Sequence, residues 1–156
     1  MEYVHLGRSG LKVSRLWLGT MNFGVHTTEP DSFRIMDRAL ELGVTCFDTA
    51  DVYGWKLGEG VTEQLIGRWL AQGGGRREQV ILGTKVFGRM GERPNQSRLS
   101  ALHIRRACED SLRRLRTDYL DLYQIASHRS PCTLGRSVAS HGATLPRGQG
   151  PLCGKQ

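Results

Sequence analysis

Apolar residues in the first 125 positions follow two alternating patterns. Short runs of adjacent apolar residues are typical of buried strands, whereas apolar residues that recur every three or four positions are typical of one face of a helix. The pattern predicts strands at 15–19, 44–47, 80–84 and 119–125, and helices at 31–42, at 61–72 and from Ser100 to about Arg116. Strands that alternate with helices in this way predict an α/β fold built from parallel βα units.

Residues that begin and end helices support these boundaries. Asp31 and Ser100 are the predicted N-caps of the first and third helices, because short polar side chains accept hydrogen bonds from the free amides of a first turn. Gly43 follows the first helix at a position where glycine commonly ends a helix, and glycines at 73–75 end the second. From residue 126 onward neither pattern is found.

Four βα units fit either an open sheet or half of an eight-stranded barrel. The glycine-rich fingerprint GxGxxG, with which many open sheets bind dinucleotides, is absent after the first predicted strand. Its absence argues against a Rossmann domain.

Charge is distributed unevenly along the chain. The formal net charge is +7, from 22 basic and 15 acidic residues. Residues 126–156 hold four of the basic residues and none of the acidic ones, so residues 1–125 hold 18 and 15, a balance of +3. The third predicted helix carries several arginines without aromatic residues between them: Arg105, Arg106, Arg113, Arg114 and Arg116. A solvated helix face explains them, and we expect no nucleic-acid binding.

The cysteines and the apolar runs indicate a cytoplasmic protein. Cys46, Cys108, Cys132 and Cys153 lie far apart and lack the spacing of a disulfide framework or a metal site. The chain has no run of about 18 apolar residues, and its first ten residues lack the apolar core of a secretory signal. We therefore expect reduced thiols, no metal and no membrane association.

Candidate chemistry lies where the predicted strands end, because the carboxyl ends of parallel strands share one edge of a sheet. The residues at these ends are Gly19, Thr20 and Met21 after the first strand, Asp48 and Tyr53 after the second, and Lys85 after the third. Three ionisable groups, Asp48, Tyr53 and Lys85, are therefore expected to converge from separate strands.

Together these three groups suit a proton donor. A free phenol has a pKa of about 10, and a neighbouring ammonium favours the phenolate. A carboxylate beside the ammonium keeps it charged and fixed, and a carbonyl that accepts a hydride needs a proton at its oxygen. Spacing alone leaves other interpretations open: Asp48 as a helix cap or loop anchor, Lys85 as a solvated charge, and Tyr53 as a packed turn residue.

Several motifs, in the right order, resemble the aldo-keto reductase family. They are 6–14 leading to 18–24, similar to the family's opening hairpin and first strand; FDTADVYG at 47–54 with GVTEQLIG at 60–67; GTK at 83–85; and SLRRL at 111–115 with DYLDLYQ at 118–124. The branch that this chain resembles most is a microbial one, which also resembles the β subunits of potassium channels.

The resemblance implies a (β/α)8 TIM barrel that binds NADP(H) without a Rossmann domain, with residues 1–125 as roughly its first four βα units. It implies Tyr53 as the proton donor, with Lys85 and Asp48 tuning it, and hydride transfer from the cofactor to a small-molecule aldehyde or ketone. The residues that it places near the nicotinamide and its ribose are Gly19, Thr20, Met21 and Asp48. The alternative is a noncatalytic NADP(H)-binding regulatory subunit like the channel β proteins.

One position departs from the resemblance. The family has a histidine directly after the fourth strand, where this chain has Ala126, and His128 comes two residues late. Codons that encode 126–130 also encode His-His-Ile-Asp, the family's usual continuation, when their first base is dropped. We therefore expect 126–156 to be a basic, irregular, frame-shifted tail, and the alternative is a native basic tail. We also expect the truncated chain to be weakly active or inactive and to self-associate through exposed barrel edges.

Overall fold

The computed structural model describes residues 1–126. The predicted irregular tail, apart from Ala126, lies outside the described residues. The strands are β1 (Tyr3–His5), β2 (Lys12–Ser14), β3 (Trp17–Gly19), β4 (Cys46–Asp48), β5 (Ile81–Val86) and β6 (Leu122–Ile125), and the helices are α1 (Glu29–Glu41), α2 (Val61–Leu70), α3 (Arg76–Gln79) and α4 (Ala101–Leu115). None of these four helices is long and apolar enough to cross a membrane.

A parallel sheet of four strands forms the centre of the fold. Its order is β3-β4-β5-β6, so each strand pairs with the next one along the chain. The α/β prediction is confirmed. Within residues 1–126 the sheet does not close into a barrel, and it also lacks the reversal of strand order that defines a doubly wound sheet. β1 and β2 form a separate antiparallel hairpin.

Helix α1 begins earlier than the pattern predicted. Its N-cap is Thr28, whose hydroxyl accepts a hydrogen bond from the backbone N–H of Asp31 at 3.3 Å, so the prediction of Asp31 as the cap is wrong. Pro30 explains the difference, because it lies in the first turn, where a missing N–H costs nothing. The predicted cap Ser100 does begin α4, and Gly43, with φ of 78°, does follow α1.

The core lies between the sheet and helices α1, α2 and α4. Phe47 of β4 packs on Trp69 of α2, with ring centroids 5.6 Å apart. Other buried apolar side chains in this layer are Met36, Leu65, Ile66, Leu82, Leu115 and Leu120. Gly67 allows α2 and α4 to approach closely, because a Cβ there would lie 2.1 Å from the carbonyl oxygen of Arg114. This approach also brings the side chain of Arg114 beside Glu63, one turn earlier in α2.

The amino end of the sheet differs from the sequence prediction. β6 begins at Leu122, three residues later than predicted. Asp121, just before it, uses its carboxylate to accept hydrogen bonds from the N–H of Leu82 and from Arg77. Arg77 belongs to α3, a four-residue helix that the apolar pattern did not predict. This end of the sheet is therefore held by side chains that lie far apart in the sequence.

Candidate active site

The ammonium group of Lys85 lies at the centre of the candidate site. It donates hydrogen bonds to Asp48 Oδ2 at 2.6 Å, to the carbonyl oxygen of Thr49 at 2.9 Å and to the hydroxyl oxygen of Tyr53 at 3.1 Å. An ammonium has three N–H donors, so these contacts use all of them. The structure thus brings Asp48, Tyr53 and Lys85 together at the carboxyl edge of the sheet.

The direction of the hydrogen bond to Tyr53 decides what the phenol can do. Because an ammonium only donates, the phenol oxygen accepts, and the proton of Tyr53 remains available to another acceptor. The ammonium of Lys85 also lies 4.9 Å from the centroid of the Tyr53 ring. The side chains of Lys85 and Asp48 keep 16% and 30% of their exposure, so the pair is accessible to a small ligand.

Backbone hydrogen bonds fix the loop that follows β4. The N–H of Thr49 donates to the carbonyl oxygen of Gly83 at 2.8 Å, and the N–H of Thr62 donates to the carbonyl oxygen of Tyr53 at 3.3 Å. Gly54 has a φ of 105°, and a Cβ there would lie 2.4 Å from the first side chain of α2. Glycine is therefore required directly after Tyr53 for this loop to pack on the start of α2.

The predicted cofactor residues lie at the same edge, beside β4. Thr20 is fully buried and its hydroxyl donates to the carbonyl oxygen of Asp48 at 2.9 Å, so it holds β4 and does not face solvent. Gly19 pairs with Asp48 in the sheet and is exposed, and a Cβ at Gly19 would meet no atom within 4 Å. Met21 is 47% exposed. Exposed backbone at Gly19 therefore lies next to Asp48, and exposed Met21 follows two residues later.

Ala126 occupies the position at which the family resemblance implies a histidine. Its N–H donates to the carbonyl oxygen of Val86 at 3.1 Å, which places Ala126 at the same edge of the sheet as Lys85. A methyl group cannot donate a hydrogen bond, so Ala126 offers no side-chain donor to a ligand. His128 lies outside the described residues.

The sequence pattern assigned no role to a buried polar group beneath the site. Glu63 is fully buried, and its carboxylate accepts hydrogen bonds from Thr84 Oγ1 at 2.5 Å and from Arg114 Nε at 2.7 Å. The grouping of Arg114 with solvated arginines is therefore wrong, since its side chain is only 13% exposed and ion-paired. The available signal was the place of Glu63 on the apolar face of α2, three residues before Ile66, where a carboxylate requires a partner.

Two titratable groups near the site are buried with an unpartnered polar atom. Asp51 is 1% exposed, and its Oδ2 has no hydrogen-bond partner among the described residues. Burial, followed by the negative charge of Glu63, raises the pKa of Asp51 to about 7, although Arg114 opposes the shift. In the first turn of α4, burial lowers the pKa of His103, and a backbone hydrogen bond at Gly88 opposes this effect.

The described fold and site define an α/β protein with a hydrogen-bonded carboxylate, ammonium and phenol at the carboxyl edge of a parallel sheet. Residues 15–133 match the Aldo/keto reductase family, and the chain belongs to that family. The family resemblance is therefore confirmed.

Three curated relatives of the chain come from two bacteria and a plant. The chain is 57% identical over 129 residues to "uncharacterized oxidoreductase YrpG" of Bacillus subtilis and 42% identical over 133 residues to "Protein tas" of Escherichia coli. It is 36% identical over 134 residues to a "probable voltage-gated potassium channel subunit beta" of rice, Oryza sativa. These matches cover 80%, 80% and 85% of this chain, but 40%, 38% and 39% of the relatives. The chain thus spans about two fifths of the length of these curated relatives.

Proposed function

We propose that this chain carries the proton-donating part of an NADP(H)-dependent oxidoreductase that reduces aldehydes or ketones to alcohols. The observation that carries the proposal is the ammonium of Lys85, which donates to both Asp48 and the hydroxyl oxygen of Tyr53. Membership of the family and a relative that is named as an oxidoreductase support it.

Proton transfer follows from this geometry. The O–H of Tyr53 is not used by Lys85, so it donates to the oxygen of a bound carbonyl. As that proton leaves, the ammonium 3.1 Å away stabilises the phenolate, and Asp48 keeps the ammonium in place. NADPH, when bound, would supply the hydride to the carbonyl carbon and become NADP+. The alcohol then leaves, and Tyr53 regains its proton from water.

We infer that the exposed surface beside Asp48 would hold the ring of a nicotinamide. Gly19 leaves space for a planar group, and exposed Met21 offers it an apolar neighbour. The carboxylate of Asp48, which is 30% exposed, would accept a hydrogen bond from a ribose hydroxyl. Thr20 supports this arrangement indirectly, through its hydrogen bond to the backbone of Asp48.

We also propose that residues 1–125 are the first four βα units of a (β/α)8 barrel and that residues 126–156 are read out of frame. The order β3-β4-β5-β6 supports the barrel, since a barrel adds each strand beside the preceding one. Among the described residues β3 and β6 each have one free edge, through which the chain would self-associate. The coding DNA tests the frame: a long open frame is expected once a single base near codon 126 is removed, and its absence contradicts the proposal.

A noncatalytic NADP(H)-binding subunit is the second candidate function. The 36% identity to the rice protein whose name is a channel subunit beta favours it. Under this alternative the chain binds the cofactor without turnover. The bond from Lys85 to Tyr53 favours the reductase, because a binding subunit does not need a supported proton donor.

Turnover by a completed barrel tests the reductase proposal. A chimera joins residues 1–125 to the corresponding carboxyl-terminal part of B. subtilis YrpG and is assayed for NADPH oxidation with a generic aldehyde, beside the 156-residue chain. We expect turnover by the chimera and little or none by the 156-residue chain. Binding of NADPH to the chimera without turnover would favour the noncatalytic alternative.

Substitution of Tyr53 tests the proton donor itself. Tyr53→Phe is expected to lower kcat of the chimera about 100- to 10,000-fold, because the proton donor is lost while the ring remains. Tyr3→Phe is the matched control, since it removes only a hydrogen bond to the carbonyl oxygen of Gly43 in an exposed part of the chain. A Tyr53→Phe chimera with full kcat contradicts the assignment.

A further inference from the structure

Four side chains form a cluster beneath the site, which we call the Glu63 cluster: Asp51, Glu63, Thr84 and Arg114. Glu63 and Thr84 are completely buried, and Asp51 is 1% exposed. The two oxygens of Glu63 are divided between two donors, Oε1 to Thr84 and Oε2 to Arg114. Gly60 leaves room for the guanidinium, because a Cβ there would lie 2.4 Å from Arg114 Nε. The cluster therefore joins α2, α4 and β5.

The first turn of α2 also contacts the loops that carry the candidate site. Thr62, the neighbour of Glu63, donates its hydroxyl proton to the carbonyl oxygen of Phe23 at 2.9 Å and its backbone N–H to the carbonyl oxygen of Tyr53 at 3.3 Å. The loops after β3 and β4 are thus tied to the same helical turn that holds Thr84 of β5. Three neighbouring segments of the site share one support.

Thr84 and Lys85 are consecutive residues of β5, and consecutive side chains of a strand point to opposite faces of a sheet. Thr84 reaches the helix layer, where Glu63 accepts its hydrogen bond. Lys85 reaches the opposite face, where it contacts Asp48 and Tyr53. A hydrogen bond that fixes Thr84 therefore also fixes the backbone from which the Lys85 side chain extends.

We propose that Glu63, held by Arg114, is a positioning residue that sets Lys85 against Tyr53 through Thr84. The catalytic meaning of this role rests on the proposed reductase function, whereas the positioning itself does not. A buried ion pair that only linked α2 to α4 could be replaced by apolar side chains with little loss of stability. Apolar side chains could not accept a hydrogen bond from the hydroxyl of Thr84. That hydrogen bond connects the Glu63–Arg114 pair to the strand that carries Lys85.

Thr84→Val tests the link without breaking the ion pair. Valine keeps the shape of threonine but loses the donor to Glu63, so the Glu63–Arg114 pair remains. Thr84→Ser restores a hydroxyl and serves as the rescue variant. Thr117→Val is the matched control, because the Thr117 hydroxyl accepts a hydrogen bond from Arg77 Nε at 2.9 Å at the opposite end of the sheet.

The first readout is NMR of the lysine ammonium groups in the 156-residue chain and in the chimera, and it requires neither cofactor nor substrate. An ammonium signal survives exchange with water only when hydrogen bonds protect it. The Lys85 signal is identified by its absence in Lys85→Met. We expect this signal in the unmodified protein, Thr84→Ser and Thr117→Val, and its loss through faster exchange in Thr84→Val. An unchanged signal in Thr84→Val overturns the proposal.

The second readout is turnover by the chimera. Thr84→Val is expected to lower kcat about 10- to 100-fold while KM stays within about twofold, because misplacement of Lys85 affects the chemical step more than binding. Normal kcat in Thr84→Val overturns the positioning role. If the ammonium signal responds but no chimera turns over, the reductase proposal fails and the positioning stands. Thr84→Ala, with the same expected losses, replaces the valine variant if that variant does not fold.

Discussion

The two ends of strand β5 are held by different kinds of ionic contact. At the amino end, Arg77 and Asp121 form a pair whose side chains are 12% and 14% exposed. Asp121 accepts a hydrogen bond from the N–H of Leu82 at 2.9 Å, and Arg77 donates to the carbonyl oxygens of Val80 and Tyr119. Each of these donors and acceptors is paired with another group of the protein, so the contacts stabilise the amino end.

At the carboxyl end of β5, the contacts do not use every polar group. Lys85 is fully hydrogen-bonded, yet the phenol proton of Tyr53 is not used by it. Asp51 Oδ2 and Thr49 Oγ1 are buried there without a hydrogen-bond partner among the described residues. Unsatisfied buried polar atoms are rare and concentrate where function requires them. The contacts at the amino end are all paired within the protein, and we propose that the carboxyl end serves the chemistry, as in βα barrels.

Lys85→Met is expected to have the largest effect on activity. It removes the charge that stabilises the phenolate, so kcat of the chimera should fall about 100-fold or more, as measured by NADPH oxidation. Its effect on the free energy of unfolding in urea should be smaller than that of breaking the Arg77 pair, because Asp48 is 30% exposed and stays hydrated. Lys56→Met, in a pair that is 68% and 53% exposed, is the control and should change neither quantity. Equal losses in the free energy of unfolding from Lys85→Met and Arg77→Met would contradict this difference between the two ends.

Arg77→Met should show the reverse result. It leaves Asp121, whose side chain is 14% exposed, without its cation, which should lower the free energy of unfolding by about 3–5 kcal/mol. The kcat of the fraction that remains folded should be unchanged. Arg38→Met, in an exposed pair with Glu41, should cost less than about 1 kcal/mol. A loss of kcat in folded Arg77→Met would show that the amino end also governs the chemistry.

The sequence predicts the candidate site at the carboxyl end of the sheet better than it predicts how loops and helices pack around that site. Asp48 and Lys85 follow apolar strand runs, and parallel strands end at one edge, so their proximity follows from the pattern alone. The conformation of the loop to Tyr53 does not, since it depends on Gly54 packing against α2. The pattern also misjudged the start of α1, because it treated Pro30 as lying outside the helix.

The sequence pattern could not predict ion pairs between distant residues, and the reason is physical. Glu63 and Arg114 are 51 residues apart, and hydrophobic periodicity reports which face of a helix is buried but not which other helix covers it. Arginines on α4 therefore look alike in the sequence, although the side chain of Arg114 is 13% exposed and that of Arg113 is 74% exposed. The carboxylate on the apolar face of α2 signals that a partner exists but does not identify it.

Asp51→Asn should change how stability depends on pH. The pKa of Asp51 is raised to about 7 from an ordinary value of 3.8, so between these values the folded protein binds a proton that the unfolded chain releases. The contribution of Asp51 to the free energy of unfolding is therefore favourable at low pH and falls as pH rises towards 7. Asparagine mimics the neutral acid at every pH. The gain in stability of Asp51→Asn over the unmodified chain should thus grow from pH 4 to pH 7 and then level off.

Denaturant unfolding across this pH range measures the difference. Glu41→Gln, which removes an exposed carboxylate paired with Arg38, supplies the control for surface charge. If the difference between Asp51→Asn and the unmodified chain stays constant with pH, the carboxyl of Asp51 is not a buried acid. The unpartnered oxygen at the reactive end would then need another explanation.

The smallest expected effect is that of Thr28→Ala. This variant tests whether a change lowers kcat because it lies at the carboxyl end of the sheet or because it adjoins Lys85. Thr28 caps α1 at this end, and Thr28→Ala should lower the free energy of unfolding by about 1 kcal/mol, because the amide of Asp31 loses its acceptor. Its kcat in the chimera should remain within about twofold of the unmodified value. Thr28→Ala and Thr84→Val each remove one threonine hydroxyl from the same end, yet only Thr84 adjoins Lys85. If both variants lowered kcat equally, general loosening of this end would explain the loss, and the path from Glu63 through Thr84 to Lys85 would carry no special role.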